Sequence, residues 1–418
     1  MSGLSDGSKN RIRVAHLVWE GRNGPSEFSG MPWSMSAGLQ RAGCDVIPVS
    51  IGNETRSRGV GSFLDSPSSD LSRKLKRLGT RIRDRRDDLF HRTAFRRASK
   101  TARATAKITA KALDDIQCDV IFGSGMSSPF AYLNARVPVI YATDATARLT
   151  IGAYPRVAAM GKGRHAAMLD LEDRAVSNSD VIVVPCDYTR DSMIADHGAR
   201  DEQVTIVPFG ANVQPDAPVL VPAAPPVNMQ LDLLLTAADP ERKQLSLAVE
   251  IVKELRNRGW NATLHYIGPK HKCCNLEEVA WAGQLRLGDP ADSKLHRGLL
   301  RSCHLSILPS LGEMYGIAPI ESATFGRPAI VSDVGGLPFV VEDGVTGRVL
   351  PVETPISGWA DAIEAMVVRP ERYALFSEAA HRRYLDVLNW DVWGQTVRGL
   401  AETAIRSRSA REDSGRPG

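Results

Sequence analysis

Short apolar runs alternate with helical segments along the first half of the chain. IRVAHLVW (12–19) and CDVIPVS (44–50) have the length and β-branched content of buried strands, and the helical segment MSAGLQRAG between them ends at Gly43. Four similar runs follow at 119–124, 137–143, 180–185 and 204–209. A strand, a helix and another strand in this order predict parallel pairing, so this half is predicted to be a doubly wound α/β domain.

The alternation pauses over 212–230 and then starts again. NVQPDAPVLVPAAPPVNMQ is rich in proline and has no helical spacing, which favours a linker. After it the pattern predicts strands at 231–237, 262–268, 304–310, 327–332 and 347–351, with a helix over 245–259. The predicted organisation is a first domain (1–211), the linker, a second α/β domain (231–385) and a C-terminal helix with a disordered tail (386–418).

Composition narrows the class of protein. The chain has 418 residues, of which 43% are hydrophobic and 24% charged, as in ordinary globular proteins of two domains. A net charge of +4 does not indicate a nucleic-acid partner. The sequence contains no apolar run long enough to span a bilayer, and MSGLSDGSKNRIR lacks the apolar core of a signal peptide. Six cysteines without a CxxC pair predict reduced thiols in a cytoplasmic protein.

One segment departs from this even distribution of charge. Residues 73–111 carry fifteen Lys or Arg against three Asp. One interpretation is a solvated helical hairpin in the first domain. The other is a basic face that contacts anionic lipid, and so a peripheral membrane contact, or an acidic acceptor.

The stretch LGEMYGIAPIESATFGRPAIVSDVGGLP (311–338) carries the most specific chemistry. Glu313 follows the predicted strand 304–310, and Glu321 lies eight residues later in a helix predicted to begin near Tyr315. Eight residues of helix would place the two carboxylates roughly 80° apart, so they would reach different parts of an elongated ligand. Backbone N–H groups at the start of that helix suit a phosphate.

These residues resemble the donor site of the GT4 retaining glycosyltransferases, which have the GT-B fold. The resemblance rests on the pattern from Glu313 and Glu321 to the GGLP and EDGVTGRVLP segments, and on three segments before it: YATDAT (141–146), PFGAN (208–212) and DPERK (239–243). It implies two Rossmann-like doubly wound domains that face a cleft, with the C-terminal helix returning to the first domain.

The resemblance also implies roles for individual residues. Glu321 would bind the ribose hydroxyls of a nucleotide, Glu313 would contact the transferred sugar, and Lys243 with Arg242 would neutralise the departing diphosphate. The full expected donor set is Gly30, Arg242, Lys243, Met314, Tyr315, Gly316, Ile317 and Glu321. The expected catalytic pair is Asp144 and Glu313, and neither a metal nor a cofactor is expected.

Asp144 allows two interpretations. It follows the strand 137–143, where the family commonly has a histidine, and could bind a donor-sugar hydroxyl, orient the acceptor or stabilise an oxocarbenium-like centre. Alternatively, its side chain could cap the next helix through the N–H groups of Thr146 or Ala147.

Two positions depart from the family pattern. Ala237 stands where many members have an arginine, and Phe339 where many have a glutamate.

The expected partners are a nucleotide-sugar donor and a glycan, lipid or small-molecule acceptor, as in polysaccharide assembly. The sequence does not identify the base of the donor nucleotide, so UDP, GDP, dTDP and ADP are all candidates. The rival functions are a catalytically silent nucleotide-sugar-binding scaffold and a nucleotide-sugar epimerase on the same fold.

Overall fold

A computed structural model describes residues 11–19, 30–52 and 80–413. The first part of the basic segment, 73–79, and the end of the predicted tail, 414–418, lie outside the described residues. The elements of the first domain are β1 (Arg13–Trp19), α1 (Met31–Arg41), β2 (Asp45–Ile51), α2 (Thr80–Asp114), β3 (Val120–Ser124), α3 (Ser127–Phe130), β4 (Val139–Ala142), α4 (Ala147–Ala153), α5 (Pro155–Ala158), α6 (Lys162–Ser177), β5 (Val181–Val184), α7 (Asp187–His197) and β6 (Val204–Ile206).

Those six strands form one parallel sheet in the order β2-β1-β3-β4-β5-β6. Strand order reverses between β1 and β3, which makes this edge a switch point where open α/β sheets bind ligands. β4 is buried along its whole length because helices cover both faces of the sheet. This explains why its sequence is a continuous apolar run and does not alternate.

The second domain repeats the design with the elements β7 (Gln230–Thr236), α8 (Leu245–Asn257), β8 (Asn261–Ile267), β9 (Val279–Gly283), α9 (Pro290–Ser302), β10 (Leu305–Leu308), α10 (Ile317–Ala323), β11 (Ala329–Ser332), α11 (Leu337–Val340), β12 (Gly347–Leu350), α12 (Ile356–Val367) and α13 (Pro370–Asp386). Its parallel sheet has the order β12-β11-β10-β7-β8-β9. The switch point therefore lies between β7 and β10. The two Rossmann-like sheets expected from the sequence are confirmed.

The last helix, α14 (Trp390–Asp413), leaves the second domain and packs on α1 of the first. Trp393 is fully buried, with its ring 5.7 Å from that of Phe122. Gly38 and Gly394 lie at the crossing of the two helices, where a methyl group on Gly394 would clash with the backbone oxygen of Gly38. The predicted return of the C-terminal helix is confirmed, and glycine at both positions allows the close approach.

Gly394→Ala is therefore expected to destabilise the protein by about 1–3 kcal/mol, because the added carbon forces the two helices apart. Gly399 lies on the outer side of the same helix and has no atom near its would-be side chain. Gly399→Ala should be neutral or stabilise by up to about 1 kcal/mol, since alanine is the better helix former. Urea denaturation of both variants measures the difference. Equal stabilities would contradict the assigned helix contact.

The chain passes between the domains at two places that touch each other. The first crossing follows β6 and includes Gly210, and the second is the start of α14 at Trp390. The two are in close contact, because a methyl group added to Gly210 would lie 2.5 Å from the backbone nitrogen of Trp390. Asn212 accepts hydrogen bonds there from Ser34 of α1 and from the indole of Trp390.

Beyond Asn212, the proline-rich segment lies along the second domain. The Ala223 amide donates to the hydroxyl of Ser377 on α13, at 2.7 Å, and Asp216 pairs with Arg301 on α9, at 2.6 Å. This segment is thus held by hydrogen bonds and an ion pair on the side of the second sheet.

The basic segment forms one continuous helix within the described residues and no hairpin. α2 has neither glycine nor proline between Thr80 and Asp114, and its alanines, lysines and arginines are strong helix formers. Its inner face is buried through Ala98, Ala102, Thr105, Ala106 and Thr109. Its outer face carries an exposed row, named here the basic stripe: Arg92, Arg96, Lys100, Arg103, Lys107 and Lys111.

Candidate active site

A cavity of about 430 Å³ opens between the two domains, within the range of about 300–1,000 Å³ usual for small-molecule sites. Its walls come from the loops after β4, β7 and β10, all at carboxyl ends of strands. The lining residues include Met31, Asp144 and Tyr154 from the first domain and Thr236, Arg242, Lys243, Gly268, Gln284, Leu285, His296, Glu313, Met314, Tyr315, Gly316, Ile317 and Glu321 from the second. The cavity therefore lies at the switch point of the second sheet.

Lys243, Arg242 and Glu313 meet at the centre of the cavity. The Glu313 carboxylate lies 3.4 Å from the Lys243 ammonium and 3.3 Å from the Arg242 guanidinium. The three side chains are only 11–13% exposed. Asp239 is a second acidic neighbour, 3.8 Å from the Arg242 guanidinium. The buried Arg242 Nε has no hydrogen-bond partner among the described residues, so it is available to an anionic ligand.

Arg242 also connects the two domains. Its guanidinium lies over the ring of Tyr154, 5.2 Å from the ring centre, and it donates to the carbonyl of Gly312. A cation above an aromatic face is stabilised by the electron density of the ring. Tyr154 therefore acts as a contact from the first domain to the cation cluster, a role that the sequence did not suggest.

The helix after Glu313 begins later than predicted. α10 starts at Ile317, and Gly316 before it is left-handed, with φ of 109°. Tyr315 and Met314 lie in the preceding loop, where the Tyr315 hydroxyl donates to the carbonyl of Phe209 near the domain crossing. The prediction of a start near Tyr315 was wrong because a buried aromatic side chain and a left-handed glycine hold these residues outside the helix.

The glycine pair that follows β11 supports this loop from behind. A side chain on Gly335 would overlap the backbone oxygen of Glu313, and one on Gly336 would lie 2.6 Å from the oxygen of Met314. The two glycines are required because the backbone of residues 313–315 packs directly against them. This close packing explains Gly335 and Gly336, the last two glycines of the 311–338 stretch.

Asp144 reaches the cavity from the first domain. It is half-buried, and burial raises its pKa to about 6; the nearby Glu313 adds to that shift, while a hydrogen bond from its own backbone N–H opposes it. The capping alternative is wrong, because the Thr146 hydroxyl accepts from the Leu149 amide and caps α4 itself. Asp144 thus faces the ligand space.

Gly30 is the left-handed residue before α1, with φ of 81°. Its neighbour Met31 lines the cavity, whereas Gly30 itself is not among the lining residues that the structure describes.

Glu321 forms the buried end of the cavity. It is 5% exposed, and burial raises its pKa to about 8, against an opposing effect of Lys243. His296 Nε2 lies 3.9 Å from its carboxylate. Burial lowers the pKa of His296 to about 4, so its ring is neutral at physiological pH and leaves Glu321 without a second cation.

Glu321→Gln is expected to stabilise the fold increasingly as pH rises from about 5 to about 8. In the folded protein Glu321 keeps its proton up to a pKa of about 8, whereas in the unfolded chain the carboxyl loses its proton near its ordinary pKa. Rising pH over this range therefore lowers the unfolding free energy of the wild type and not that of the variant. The difference in unfolding free energy should widen by about 1–3 kcal/mol over this range. Denaturation at several pH values measures it.

Glu250→Gln provides the matched control, because Glu250 is an exposed glutamate on α8. Its difference from wild type should stay constant with pH. If the difference in unfolding free energy between Glu321→Gln and wild type did not change with pH, Glu321 would not be a buried carboxyl that keeps its proton in the folded protein.

Among the described residues, no group of three or more His, Cys, Asp or Glu is arranged to hold a metal ion. In the same part of the chain, no helix is long and apolar enough to cross a membrane.

Comparison with known families assigns both domains. Residues 31–210 match the glycosyl transferase 4-like domain, and residues 232–368 match the glycosyl transferases group 1 domain. Together the two matches cover most of the chain.

Curated relatives match over shorter stretches. The D-inositol 3-phosphate glycosyltransferase of Saccharomonospora viridis is 29% identical over 113 residues, 25% of this chain and 26% of that protein. The protein of the same name from Corynebacterium diphtheriae is 24% identical over 218 residues, 47% of this chain and 50% of that protein. The chain thus aligns with a quarter to a half of the length of these relatives.

Solved structures share the whole architecture. Sucrose-phosphate synthase from Thermosynechococcus elongatus superposes with a TM-score of 0.66 at 14% identity, covering 95% of this chain and 100% of that one. HepE from Anabaena, solved in complex with UDP and glucose, superposes with a TM-score of 0.58 at 13% identity, covering 94% and 100%. With two matched domains in order and the two-sheet architecture of these structures, the chain belongs to the glycosyltransferases with the GT-B fold.

Proposed function

We propose that this chain transfers a sugar from a nucleoside diphosphate donor to an acceptor hydroxyl, without a metal and with retention of the anomeric configuration. The observation that carries the proposal is the cluster of Lys243, Arg242 and Glu313 in the interdomain cavity, with Glu321 at its buried end. An elongated anionic ligand fits this arrangement, with its diphosphate at the cations and its nucleoside towards Glu321.

In this proposal the two cations stabilise the leaving group. When the bond from the anomeric carbon to the diphosphate breaks, negative charge develops on the leaving oxygen. The Lys243 ammonium and the Arg242 guanidinium are held by burial and ion pairing, so they stabilise that charge with little reorganisation. Lys243 and Arg242 therefore act as the electrophilic partners of the leaving group.

Retention is proposed from the likeness of the 311–338 stretch to the GT4 pattern. The acceptor oxygen bonds to the anomeric carbon on the face that the diphosphate leaves, and the acceptor proton passes to a diphosphate oxygen. Glu313 contacts sugar hydroxyls near this centre. Asp144, on the opposite wall, contacts the transferred sugar or orients the acceptor. The charges balance because the proton follows the leaving group.

Calorimetric titration with UDP, GDP, dTDP and ADP, each with and without EDTA, tests the proposal first. UDP is the first candidate because HepE was solved with UDP and glucose. Binding of one nucleotide that EDTA does not weaken is the expected result. Product analysis by NMR with the sugars of that nucleotide then reads the anomeric configuration. Binding without turnover for every donor and acceptor tried would favour a silent scaffold, and no binding would reject the function.

We also propose that the basic stripe brings the protein to an anionic membrane surface. Its exposed cations repeat every three or four residues along one face of α2, and the described chain places no acidic residue between Arg92 and Lys111. Each such cation contributes about 1 kcal/mol near an anionic bilayer. The six free thiols fit a reducing compartment such as the cytoplasm.

Replacing Arg96, Lys100 and Lys107 together by glutamate is expected to weaken binding to phosphatidylserine vesicles by at least about tenfold. The matched control reverses Lys253, Lys272 and Lys294, which lie at partly or fully exposed positions on the second domain, and should leave vesicle binding unchanged. Vesicle co-sedimentation measures both. Equal losses of vesicle binding for the two triple variants would show that binding depends on overall charge and not on the basic stripe.

A further inference from the structure

Tyr154 lies at the corner between α4 and α5 of the first domain. Its N–H donates to the carbonyl of Thr150 in α4, and its carbonyl accepts from the amides of Val157 and Ala158 in α5. Pro155 begins α5 directly after it, and the fixed φ of proline suits the first turn of a helix. Because the backbone is held on both sides of Tyr154, its ring projects from a fixed corner of the first domain.

This corner meets the second domain beside the cation cluster. The Arg242 guanidinium lies over the Tyr154 ring, with its central carbon 5.2 Å from the ring centre. The preceding residue, Ala153, approaches Gly312, where a side-chain carbon added to the glycine would lie 3.6 Å from the Ala153 methyl group. Two adjacent residues of the first domain thus contact the cation cluster and the loop that carries Glu313.

The two cations are held by different parts of the protein. The Lys243 ammonium lies 3.4 Å from the Glu313 carboxylate and 3.4 Å from the carbonyl of Thr236, and both groups belong to the second domain. Arg242 shares the Glu313 carboxylate, at 3.3 Å, and has in addition the Tyr154 ring of the first domain. A cation is attracted to an aromatic face most strongly where water is excluded, and the Arg242 side chain is only 11% exposed. The placement of Arg242 therefore depends on the first domain as well as on the second.

We propose that Tyr154 is a positioning residue for sugar transfer, whose ring sets the Arg242 guanidinium beside the departing diphosphate when the two domains are in contact. This inference rests on the proposed donor function. Tyr154 acts through Arg242, and its effect is largest as charge develops on the leaving oxygen, because a cation already in place needs no reorganisation at that moment. A nucleotide binds the second domain through Lys243 without help from the ring. Tyr154 therefore affects turnover more than nucleotide affinity.

Tyr154→Leu is expected to lower kcat by about fivefold to thirtyfold, as for the loss of a cation–aromatic contact in a mostly buried site, and to change the affinity for the nucleoside diphosphate by less than about threefold. Tyr154→Phe keeps the ring and should restore kcat to within about twofold of wild type. Steady-state kinetics with varied donor and calorimetry with the nucleoside diphosphate that wild type binds measure both. Equal losses in the two variants would assign the effect to the hydroxyl and overturn the proposal. A loss of nucleotide affinity as large as the loss of kcat would also overturn it.

A double-mutant cycle separates positioning from general packing. In the Arg242→Ala background, Tyr154→Leu should cause no further loss of kcat, because the ring acts through the guanidinium. A full additional loss in that background would overturn the proposal. Tyr132→Leu is the matched control: Tyr132 is a partly buried tyrosine of the first domain whose ring lies 4.2 Å from the guanidinium carbon of Arg103, outside the cavity lining that the structure describes. It should leave kcat unchanged, and a comparable fall would reduce the effect to packing of the first domain.

An engineered disulfide tests the domain contact without reference to activity. Ala153→Cys combined with Gly312→Cys would place the two β-carbons 3.6 Å apart, a separation that a disulfide spans. The full-length double variant is expected to crosslink on oxidation with copper phenanthroline, as read by peptide mass spectrometry, and absence of the crosslink would overturn the contact on which the proposal depends. If the crosslink forms but wild type transfers no sugar, the proposed function is rejected and this inference with it. If wild type transfers sugar and Tyr154→Leu matches it, only the role of Tyr154 is rejected.

Discussion

Lys243→Ala is expected to lower kcat/KM for the donor by about tenfold to a few hundredfold. The buried ammonium, 3.4 Å from the Glu313 carboxylate, is held where a leaving diphosphate would develop charge. A charge-assisted contact in such a site is worth about 1.5–3 kcal/mol, and its contribution grows as the charge develops. Steady-state kinetics with varied donor measure the effect, and calorimetry with the nucleotide separates binding from turnover.

Lys253 offers a matched control for this change. It is partly exposed on α8, where it pairs with Glu250, and it lies outside the cavity walls. Lys253→Ala should leave kinetics and nucleotide affinity unchanged. If Lys243→Ala kept wild-type affinity and turnover, the cations would not be the diphosphate site and the proposed orientation of the donor would fail.

Glu313→Gln is expected to reduce turnover by about 10²–10³-fold while donor affinity stays equal or improves. The carboxylate contacts both cations that the diphosphate requires, so its charge competes with the donor for them. Removing the charge frees the cations in the ground state but removes the group proposed to act on the sugar at the reaction centre. The expected signature is a lower kcat with an unchanged or lower KM.

Glu250→Gln, on the exposed face of α8, again serves as the control and should not change either constant. A large rise in KM with unchanged kcat would contradict the proposed role of Glu313, because it would mean that this glutamate binds the donor equally in ground and transition states.

The parallel sheets could be predicted because their strands are buried on both faces. Runs such as VPVIYAT and HLSILPS have no other stable place than the middle of a covered sheet, and the segments between them are long enough for crossover helices. β9 was not predicted. Its VAWAG sequence is short and lies at the sheet edge with exposed residues in the middle, so neither burial nor alternation marks it.

Two local predictions failed, each for its own reason. The basic segment has many charges, which suggested a hairpin, although nothing between Thr80 and Asp114 breaks a helix. Tyr315 fits a helix locally, but its ring is drawn into the contact with Phe209. Local spacing does not encode such long-range contacts.

In the candidate site, some residues could be predicted from the sequence and others could not. Glu313, Glu321 and Lys243 stand in a recognisable pattern, so their common location could be predicted. Tyr154 and His296 come from separate helical segments whose spacing carries no signal, and only the folded chain brings them to the cavity. A lone histidine on an otherwise amphipathic helix was the one available hint for His296.

The two domain crossings that touch at Gly210 and Trp390 limit how the halves can move. Two bodies joined at adjacent points have no freedom to slide apart along the cleft and retain mainly a swing about that junction. Displacement in such a swing grows with distance from the pivot. The contact of Tyr315 with Phe209, next to the junction, would persist through the swing, whereas the contact of Tyr154 with Arg242, which is not part of the junction, would open. Access to the cations Lys243 and Arg242 would then depend on the angle between the two domains about this junction.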